Sequence, residues 1–335
     1  MRRPIAILGA GSWGTALAVH LGRVGHDVRL WARDEALARE MAARRANAIY
    51  LPDVTLPPNV SVTAAIAEAL HQTDLVVAAI PSHGCRAVVR KAAPHIGPRA
   101  VLVSAMKGLE TDTLMRMSEV IAQEVGPSRP VVALSGPSFA AEVAQQLPTA
   151  VLAASLDADA TRMVQAEFRS PYFRLYGSDD VIGVEIGGAL KNIIAIAAGV
   201  VEGLGLGHNA LAALITRGLA ELTRLACAAG GRRETLAGLS GLGDLVLTCT
   251  GNLSRNRHVG VELARGRPLA DILAGMKMVA EGVRTTGAAL ALGERHHVEL
   301  PIATQMAEVL AGRTDVRTAI ETLMLRRQRA EHEVG

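Results

Sequence analysis

The sequence predicts an α/β protein: an N-terminal doubly wound, mostly parallel sheet followed by an all-α C-terminal domain. Three observations carry this. A short apolar run, Ile5-Ala6-Ile7-Leu8, leads directly into glycines at G-x-G-x-x-G spacing, Gly9, Gly11 and Gly14, and then into a helical pattern. Further short apolar runs recur up to Tyr176, separated by helix-length segments. After Asp180 strand-like runs stop, and nearly everything to Gly335 has helical periodicity broken by Gly-rich loops. The expected division is therefore residues 1–180 and residues 181–335, as 335 residues are long for one core.

In chain order, Thr15 to Leu21 continues as a helix with Leu17, Leu21 and Val24 on one face and Gly25 as its C-cap, and Asp27 to Trp31 reads as a second strand. Strand, glycine turn, helix and strand form the context that a dinucleotide-binding, Rossmann-like unit requires. Gly9 allows the tight turn, Gly11 lets a pyrophosphate approach the backbone, and Gly14 lets helix pack on strand. The helix N-terminus then offers free N–H groups and partial positive charge to the phosphates. Roughly 20 residues past the glycines an acidic residue suits the ribose 2′-OH and an arginine suits a 2′-phosphate. Arg33 stands there, so NADP(H) is expected as cofactor, with NAD(H) also possible; Arg33 could equally be a solvated residue before a helix capped by Asp34.

Ala36 to Ala46 reads as a helix. Leu51 to Pro58 holds three prolines and reads as turns. Leu75 to Ile80 is a continuous apolar strand of the kind buried on both faces of a parallel sheet, and the loop Pro81-Ser82-His83 should pass near the ligand crevice at its end. Ala100 to Ser104 is the next strand, with Lys107 just past its end, where a charge can reach a substrate or simply lie on the surface. Val131 to Leu134 runs into Ser135-Gly136-Pro137-Ser138-Phe139-Ala140, a strand–turn–helix that could cradle a small polar ligand or be an ordinary capped turn. Thr149 to Ser155 and Tyr172 to Tyr176 are further strands, with Ala158 to Phe168 helical between them.

The second half opens with an apolar stretch, Val181 to Leu206, interrupted by Glu185, Lys191 and Glu202; it reads as a buried helix and not a membrane span. Lys191 sits among apolar and small residues. Such a lysine must be paired, line a polar cleft or have a lowered pKa, and a lowered pKa lets it pass protons near neutrality. Gly187-Gly188 in mid-helix implies close approach of another helix or a substrate. Asn209 to Ala228 is a second long helix. Asp244, after Ser240-Gly241-Leu242-Gly243, is expected as an N-cap and could also meet substrate hydroxyls or orient a lysine. Gly251 to His258 reads as a helix start whose Ser254, Asn256, Arg255 and Arg257 cluster donors for an anion. The charged tail, Arg326 to Gly335, is expected to fray.

Bulk composition excludes several classes. With 35 basic and 32 acidic residues the formal charge is +3, which signals neither nucleic acid nor an anionic membrane, and three Phe, three Tyr and two Trp give little base-stacking surface. Cys85, Cys227 and Cys249 lack C-x-x-C spacing, which fits a reducing compartment without disulfides or zinc; no metal is expected. Met1-Arg2-Arg3-Pro4 leaves no room for a signal peptide before the first strand, so a cytoplasmic location is expected.

These residues together make the chain similar, nearly end to end, to bacterial-type NAD(P)-dependent glycerol-3-phosphate dehydrogenases. The specific pieces are Gly9 to Ala16, Ser135 to Ala140, Gly187-Gly188-Ala189-Leu190-Lys191-Asn192, Gly241 to Leu245 and Ser254 to Arg257. The resemblance implies reversible reduction of dihydroxyacetone phosphate to sn-glycerol 3-phosphate for glycerophospholipid synthesis. It implies Lys191 as the acid/base residue, with Lys107 and Asp244 beside it. It places Ser12, Trp13, Arg33, Lys107, Ala140, Arg255, Val279 and Glu281 on the cofactor. It places Lys107, Gly136, Ser138, Lys191, Asp244, Ser254, Arg255 and Asn256 on the substrate. Val279 and Glu281 rest on the resemblance alone. Met106 and Thr285 depart from the commoner Thr or Ser and Asn, without removing a group that the chemistry requires. A homodimer is expected, because helical second domains of this kind often pair. Two other readings stay open at this point: a two-domain β-hydroxyacid or sugar-acid dehydrogenase, and a non-catalytic NADP(H) sensor.

Overall fold

The computed structural model describes residues 4–276, 278–328 and 330–331. The expectations for residues 1–3, and for 329 and 332–335 of the tail, lie outside the described residues.

The N-terminal half alternates strands and helices: β1 (Ile5–Leu8), α1 (Ser12–Val24), β2 (Val28–Trp31), α2 (Glu35–Arg44), β3 (Ala46–Asn47), β4 (Leu51–Thr55), β5 (Val60–Thr63), α3 (Ile66–Leu70), β6 (Leu75–Ala78), α4 (Cys85–Ala92), β7 (Val101–Ser104), α5 (Met117–Val125), β8 (Val131–Ser135), α6 (Ala140–Ala144), β9 (Thr149–Ala154), α7 (Ala158–Phe168) and β10 (Phe173–Ser178). The main sheet has the order β10-β9-β8-β7-β6-β1-β2-β5. From β5 to β8 all neighbours are parallel, in the sequence of a doubly wound dinucleotide fold; β9 turns antiparallel to β8, and β10 follows β9. Both faces are covered, which explains the uninterrupted apolar strands. On β1, Ile5 and Ile7 join Leu17 and Leu21 of α1 on one side, while Ala6 and Leu8 join Ile66, Val88 and Ile121 on the other. Side-chain caps fix helix starts where the sequence supplies them: Asp34 accepts from Leu37 N, Asp157 from Ala160 N and Asp180 from Gly183 N.

The expectation of turns over residues 51–58 is corrected. Leu51–Thr55 forms β4, which pairs antiparallel with β3 in a separate two-stranded ribbon. Pro52 fits there because a two-stranded ribbon leaves each strand one edge that needs no ladder donor. The short β5, also unanticipated, completes the main sheet beside β2.

The remaining helices are α8 (Val181–Gly203), α9 (Gly207–Ala228), α10 (Arg233–Leu236), α11 (Asp244–Thr250), α12 (Arg255–Ala264), α13 (Leu269–Ala274), α14 (Glu281–Arg295), α15 (Pro301–Leu310) and α16 (Val316–Met324). Helix α8 is long and apolar enough to cross a membrane by length and composition, but 89% of its apolar window is buried by the protein itself. It is the hub of the second core, where Ile186, Leu190, Ile193 and Ile196 pack with residues of α9, α11, α12, α14 and α15. Helix α12 meets it backbone to backbone. A Cβ at Gly260 would sit 1.9 Å from the Ile196 carbonyl, and one at Gly199 the same distance from the Arg257 carbonyl. Small residues at both positions are what set the N-terminus of α12 beside the middle of α8.

Candidate active site

The glycine turn between β1 and α1 is shaped as a dinucleotide requires. Gly9 has φ +114°, and a Cβ there would lie 2.5 Å from the Ala79 carbonyl; a Cβ at Gly14 would lie 1.9 Å from the Gly9 carbonyl. Around Gly11 there is nothing within 4 Å of such a Cβ. The first and third glycines are thus forced by packing, while the middle one faces open space at the start of α1, where a pyrophosphate fits. Ser12 stands at the first helical position, and its Oγ donates to the Tyr50 carbonyl at 2.6 Å and approaches Met278 Sδ at 2.9 Å. That contact brings the segment before α14, with Val279 half-buried, to the same turn. At the start of α14, Glu281 accepts from the Ser82 backbone N–H at 3.1 Å and from its hydroxyl at 2.5 Å, in the loop after β6. Trp13 packs against the small buried cluster of Ala16, Leu51 and Ala144, as do Val54 and Ala140. Arg33 is exposed past the end of β2, and Asp34 beside it is engaged as the α2 cap.

Three charged groups predicted from different parts of the chain meet at one point. Lys107, past the end of β7, donates to Asp244 Oδ2 at 2.7 Å, to the Gly136 carbonyl at 2.8 Å and to Ser138 Oγ at 3.4 Å. Lys191, in the middle of α8, lies 3.1 Å from Asp244 Oδ1 and donates to Thr248 Oγ1 at 2.6 Å. Asp244 has no exposed surface and Lys191 is 5% exposed. Two ammonium groups therefore share one carboxylate, leaving a net positive pocket. Burial pushes the Lys191 ammonium down from 10.5 to about 8; Asp244 opposes the shift and Lys107 adds to it. Gly188 lets α8 lie close against the end of β8, since a Cβ there would lie 2.6 Å from Ser135 Oγ.

The expected N-cap role of Asp244 is corrected. A π-helical turn, Leu239–Gly243, feeds directly into α11, so Gly243 is the cap and Asp244 is already helical. The Asp244 carboxylate is thereby released to the lysines. Thr248 lies four residues later on the same face, its hydroxyl donating to the Asp244 carbonyl at 2.6 Å. The sequence reading missed Thr248; placing Asp244 inside the helix would have found it.

At the start of α12 the donor cluster is smaller than expected. Ser254 caps the helix by accepting from Arg257 N. Arg257 is drawn away to Glu202 at 2.5 Å and to Asn252 Oδ1 at 3.1 Å, which removes it from the anion site. Arg255 remains exposed at the helix N-terminus, close enough to Glu281 to feel its charge. Asn256 is buried, donating to Asn192 Oδ1 at 2.9 Å and accepting from Gly282 N at 3.0 Å. Asn192 in turn lies 3.4 Å from the Lys191 Nζ and donates to the Lys107 carbonyl at 3.4 Å. A hydrogen-bonded path thus runs from α14 through α12 to the lysine pocket.

A turn open to a pyrophosphate and a buried ammonium whose pKa is lowered to about 8, set on a doubly wound sheet and a helical domain, define the class: a two-domain, dinucleotide-dependent oxidoreductase. The family model for the N-terminus of NAD-dependent glycerol-3-phosphate dehydrogenase matches residues 4–161, and that for the C-terminus matches residues 180–321. The chain belongs to the NAD(P)-dependent glycerol-3-phosphate dehydrogenase family. A curated relative from Koribacter versatilis with that name is 57% identical over 302 residues, covering 89% of this chain and 90% of its own. Another, from Geobacter sulfurreducens, is 52% identical over 333 residues and 99% of each chain. The crystal structure of glycerol-3-phosphate dehydrogenase from Coxiella burnetii superposes with a TM-score of 0.94 at 41% identity, over 97% of this chain and 99% of that one.

Proposed function

We propose that this chain is an sn-glycerol-3-phosphate dehydrogenase that reversibly reduces dihydroxyacetone phosphate, supplying sn-glycerol 3-phosphate for glycerophospholipid synthesis. The observation that carries the reading is the shared buried carboxylate: Asp244 holds Lys107 and Lys191 together beside an arginine-bearing helix N-terminus. In this reading residues 1–180 hold the cofactor and residues 181–335 supply the proton donor and most of the substrate contacts.

Gly9, Gly11, Gly14, Ser12 and Trp13 would hold the pyrophosphate end of NADP(H) or NAD(H), with Ala140, Val279 and Glu281 further along it. When bound, the reduced nicotinamide supplies the hydride for C2 of the ketone. Lys191 gives its proton to the oxygen on C2, and its depressed pKa makes that transfer easier near neutrality. Lys107 adds positive potential beside the forming alkoxide. Asp244 keeps both ammonium groups aimed at one place, and Gly136 and Ser138 line the same pocket. Arg255 and the N-terminal amides of α12, with Ser254 and Asn256, take the phosphate, so binding energy remote from C2 holds the reacting carbon in place. An arginine without a described partner at position 33, beside an aspartate engaged as a cap, favours NADP(H) over NAD(H).

The test follows the loss of reduced-nicotinamide absorbance with NADPH and with NADH. Oxidation on adding dihydroxyacetone phosphate, absent with unphosphorylated dihydroxyacetone, and faster with NADPH at low cofactor concentration, is the expected result. Cofactor binding without turnover would overturn the reading, and equal use of both cofactors would overturn the role of Arg33. We further propose a cytoplasmic homodimer that binds neither nucleic acid nor membrane; light scattering after size exclusion measures the dimer directly, and a monomer mass would overturn that part.

A further inference from the structure

The β3–β4 ribbon stands apart from the main sheet, yet it is fastened to the dinucleotide turn on both sides. Asn47, with no exposed surface, donates through Nδ2 to the Ala10 carbonyl at 2.9 Å and to Thr15 Oγ1 at 2.8 Å, and its Oδ1 accepts from Tyr50 N at 3.1 Å. The orientation of this carboxamide is forced. A carbonyl at Ala10 can only accept and an amide at Tyr50 can only donate. The Tyr50 carbonyl then accepts from Ser12 Oγ at 2.6 Å. Arg45, just before the ribbon, has φ 52° and donates to the carbonyls of Val60, Leu56 and Pro57, which ties the ribbon's base to the β5 side. Trp13 and Val54, both packed against the cluster of Ala16, Leu51 and Ala144, close the apolar side of the same contact.

We propose that Asn47 is a positioning residue for the dinucleotide, acting through the Ala10–Gly11 peptide. In a trans peptide the C=O and the N–H point in opposite directions. Holding the Ala10 oxygen inward on Asn47 therefore turns the Gly11 N–H away from the ribbon, at a glycine whose Cβ position would have nothing within 4 Å. The same bond keeps the negative end of the Ala10 carbonyl from turning toward the phosphates. A second bond to Thr15 in the first turn of α1 fixes the angle between the turn and the helix. The pyrophosphate thus meets a surface whose dipoles are set before it arrives, as preorganised binding requires. This rests on the cofactor reading above, and it adds a residue that lies outside the glycine fingerprint.

The experiment compares the parent chain with Asn47→Ala, Asn47→Asp and Thr15→Ala. Dissociation constants for NADPH and NADH come from reduced-nicotinamide fluorescence, alongside KM for dihydroxyacetone phosphate, kcat at saturating cofactor, and Tm. Asn47→Ala should raise both cofactor constants about tenfold through loss of the hydrogen bond that orients the peptide. Asn47→Asp should raise them further, since it can still accept from Tyr50 N but cannot donate to Ala10 and adds a negative charge beside the phosphates. In both, KM for dihydroxyacetone phosphate and kcat should stay within about twofold of the parent. Thr15→Ala removes the packing bond and leaves the Ala10 bond, so it should lower Tm without a matching loss of cofactor affinity. Cofactor constants unchanged in both Asn47 variants would overturn the proposal. So would a loss in Thr15→Ala equal to that in Asn47→Ala, or a parallel rise in KM for dihydroxyacetone phosphate, which marks a general distortion. A parent chain that binds neither dinucleotide would instead overturn the cofactor reading, and this inference with it.

Discussion

Lys191 concentrates the chemistry of the site in one ammonium group, and its behaviour follows from burial. Desolvation lowers its pKa to about 8, against the pull of Asp244. Ketone reduction needs the protonated form, so kcat/KM in that direction should hold steady below about pH 8 and fall as pH rises through it. The reverse reaction needs the neutral form and should rise over the same interval. Removing the amine in Lys191→Ala should lower kcat by at least ~100-fold, the usual weight of general acid–base catalysis, while the dissociation constant for NADPH stays within about twofold. A pH profile without a limb near 8 in either direction would remove the proton-transfer role. Arg255 offers a different test. Losing a charge-assisted hydrogen bond to a phosphate is worth about 1.5–3 kcal/mol, so Arg255→Ala should raise KM for dihydroxyacetone phosphate roughly tenfold to a hundredfold. A normal KM would move the phosphate elsewhere. Of the charged groups, Lys191 was legible in the sequence because an ammonium amid apolar helix residues demands a partner. Its partner was legible only as one reading among several for Asp244, because Lys107, Lys191 and Asp244 lie far apart in the chain and no local spacing pairs them.

Helix termini carry much of the element-scale logic, and one carries a buried acid. Glu221, on α9, is 4% exposed and accepts from the first amides of α15, Ile302 N at 2.7 Å and Ala303 N at 3.4 Å. Burial raises its carboxyl pKa to about 7, and the α15 amides and the nearby Arg224 and Arg326 only partly offset the shift. A carboxyl group held above its unfolded value binds a proton more readily in the folded chain. The stability it contributes is complete below about 4.5 and is lost as pH rises through about 7. Glu221→Gln keeps an acceptor for the helix without the ionisation. The parent Tm should therefore fall relative to that of Glu221→Gln between about pH 5 and pH 8; parallel curves would show that Glu221 does not titrate there. The elements themselves were mostly readable. Strands buried on both faces of a parallel sheet appear as unbroken apolar runs, and a helix can announce itself by a cap such as Asp34. The ribbon was hidden because β3 is only two residues long and β4 carries Pro52. The α11 boundary was misplaced because the π-helical turn before it has no pattern that distinguishes it from a Gly-rich loop.

At the scale of the whole molecule, a second buried ionic clamp joins the two halves besides Lys107–Asp244. Glu185, near the start of α8, accepts from Ser118 N at 2.8 Å and Ser118 Oγ at 2.5 Å and pairs with Arg116 at 2.8 Å, at the N-terminus of α5. Burial raises its carboxyl pKa, with Arg116 and Ser118 opposing the shift. The clamp ties the segment that follows Lys107 to the helix that carries Lys191. Glu185→Ala leaves the buried Ser118 amide and hydroxyl, and the Arg116 Nη1 that Glu119 does not hold, without their acceptor, and should destabilise the fold by about 3 kcal/mol, read as a lower denaturant midpoint. A midpoint equal to the parent's would show that the clamp is dispensable. The sequence by itself determined the class of the fold, the glycine turn and the chemical inventory of the site, because these depend on short-range spacing: periodicity, three glycines, a lysine in an apolar helix. Only the tertiary structure decided which charges meet, that Arg257 belongs to Glu202 and not to the anion site, and that Asn47 reaches the turn from a ribbon. Such pairings depend on where the packing of α12 on α8, and of the ribbon on α1, brings side chains distant in sequence, and no local pattern encodes that distance.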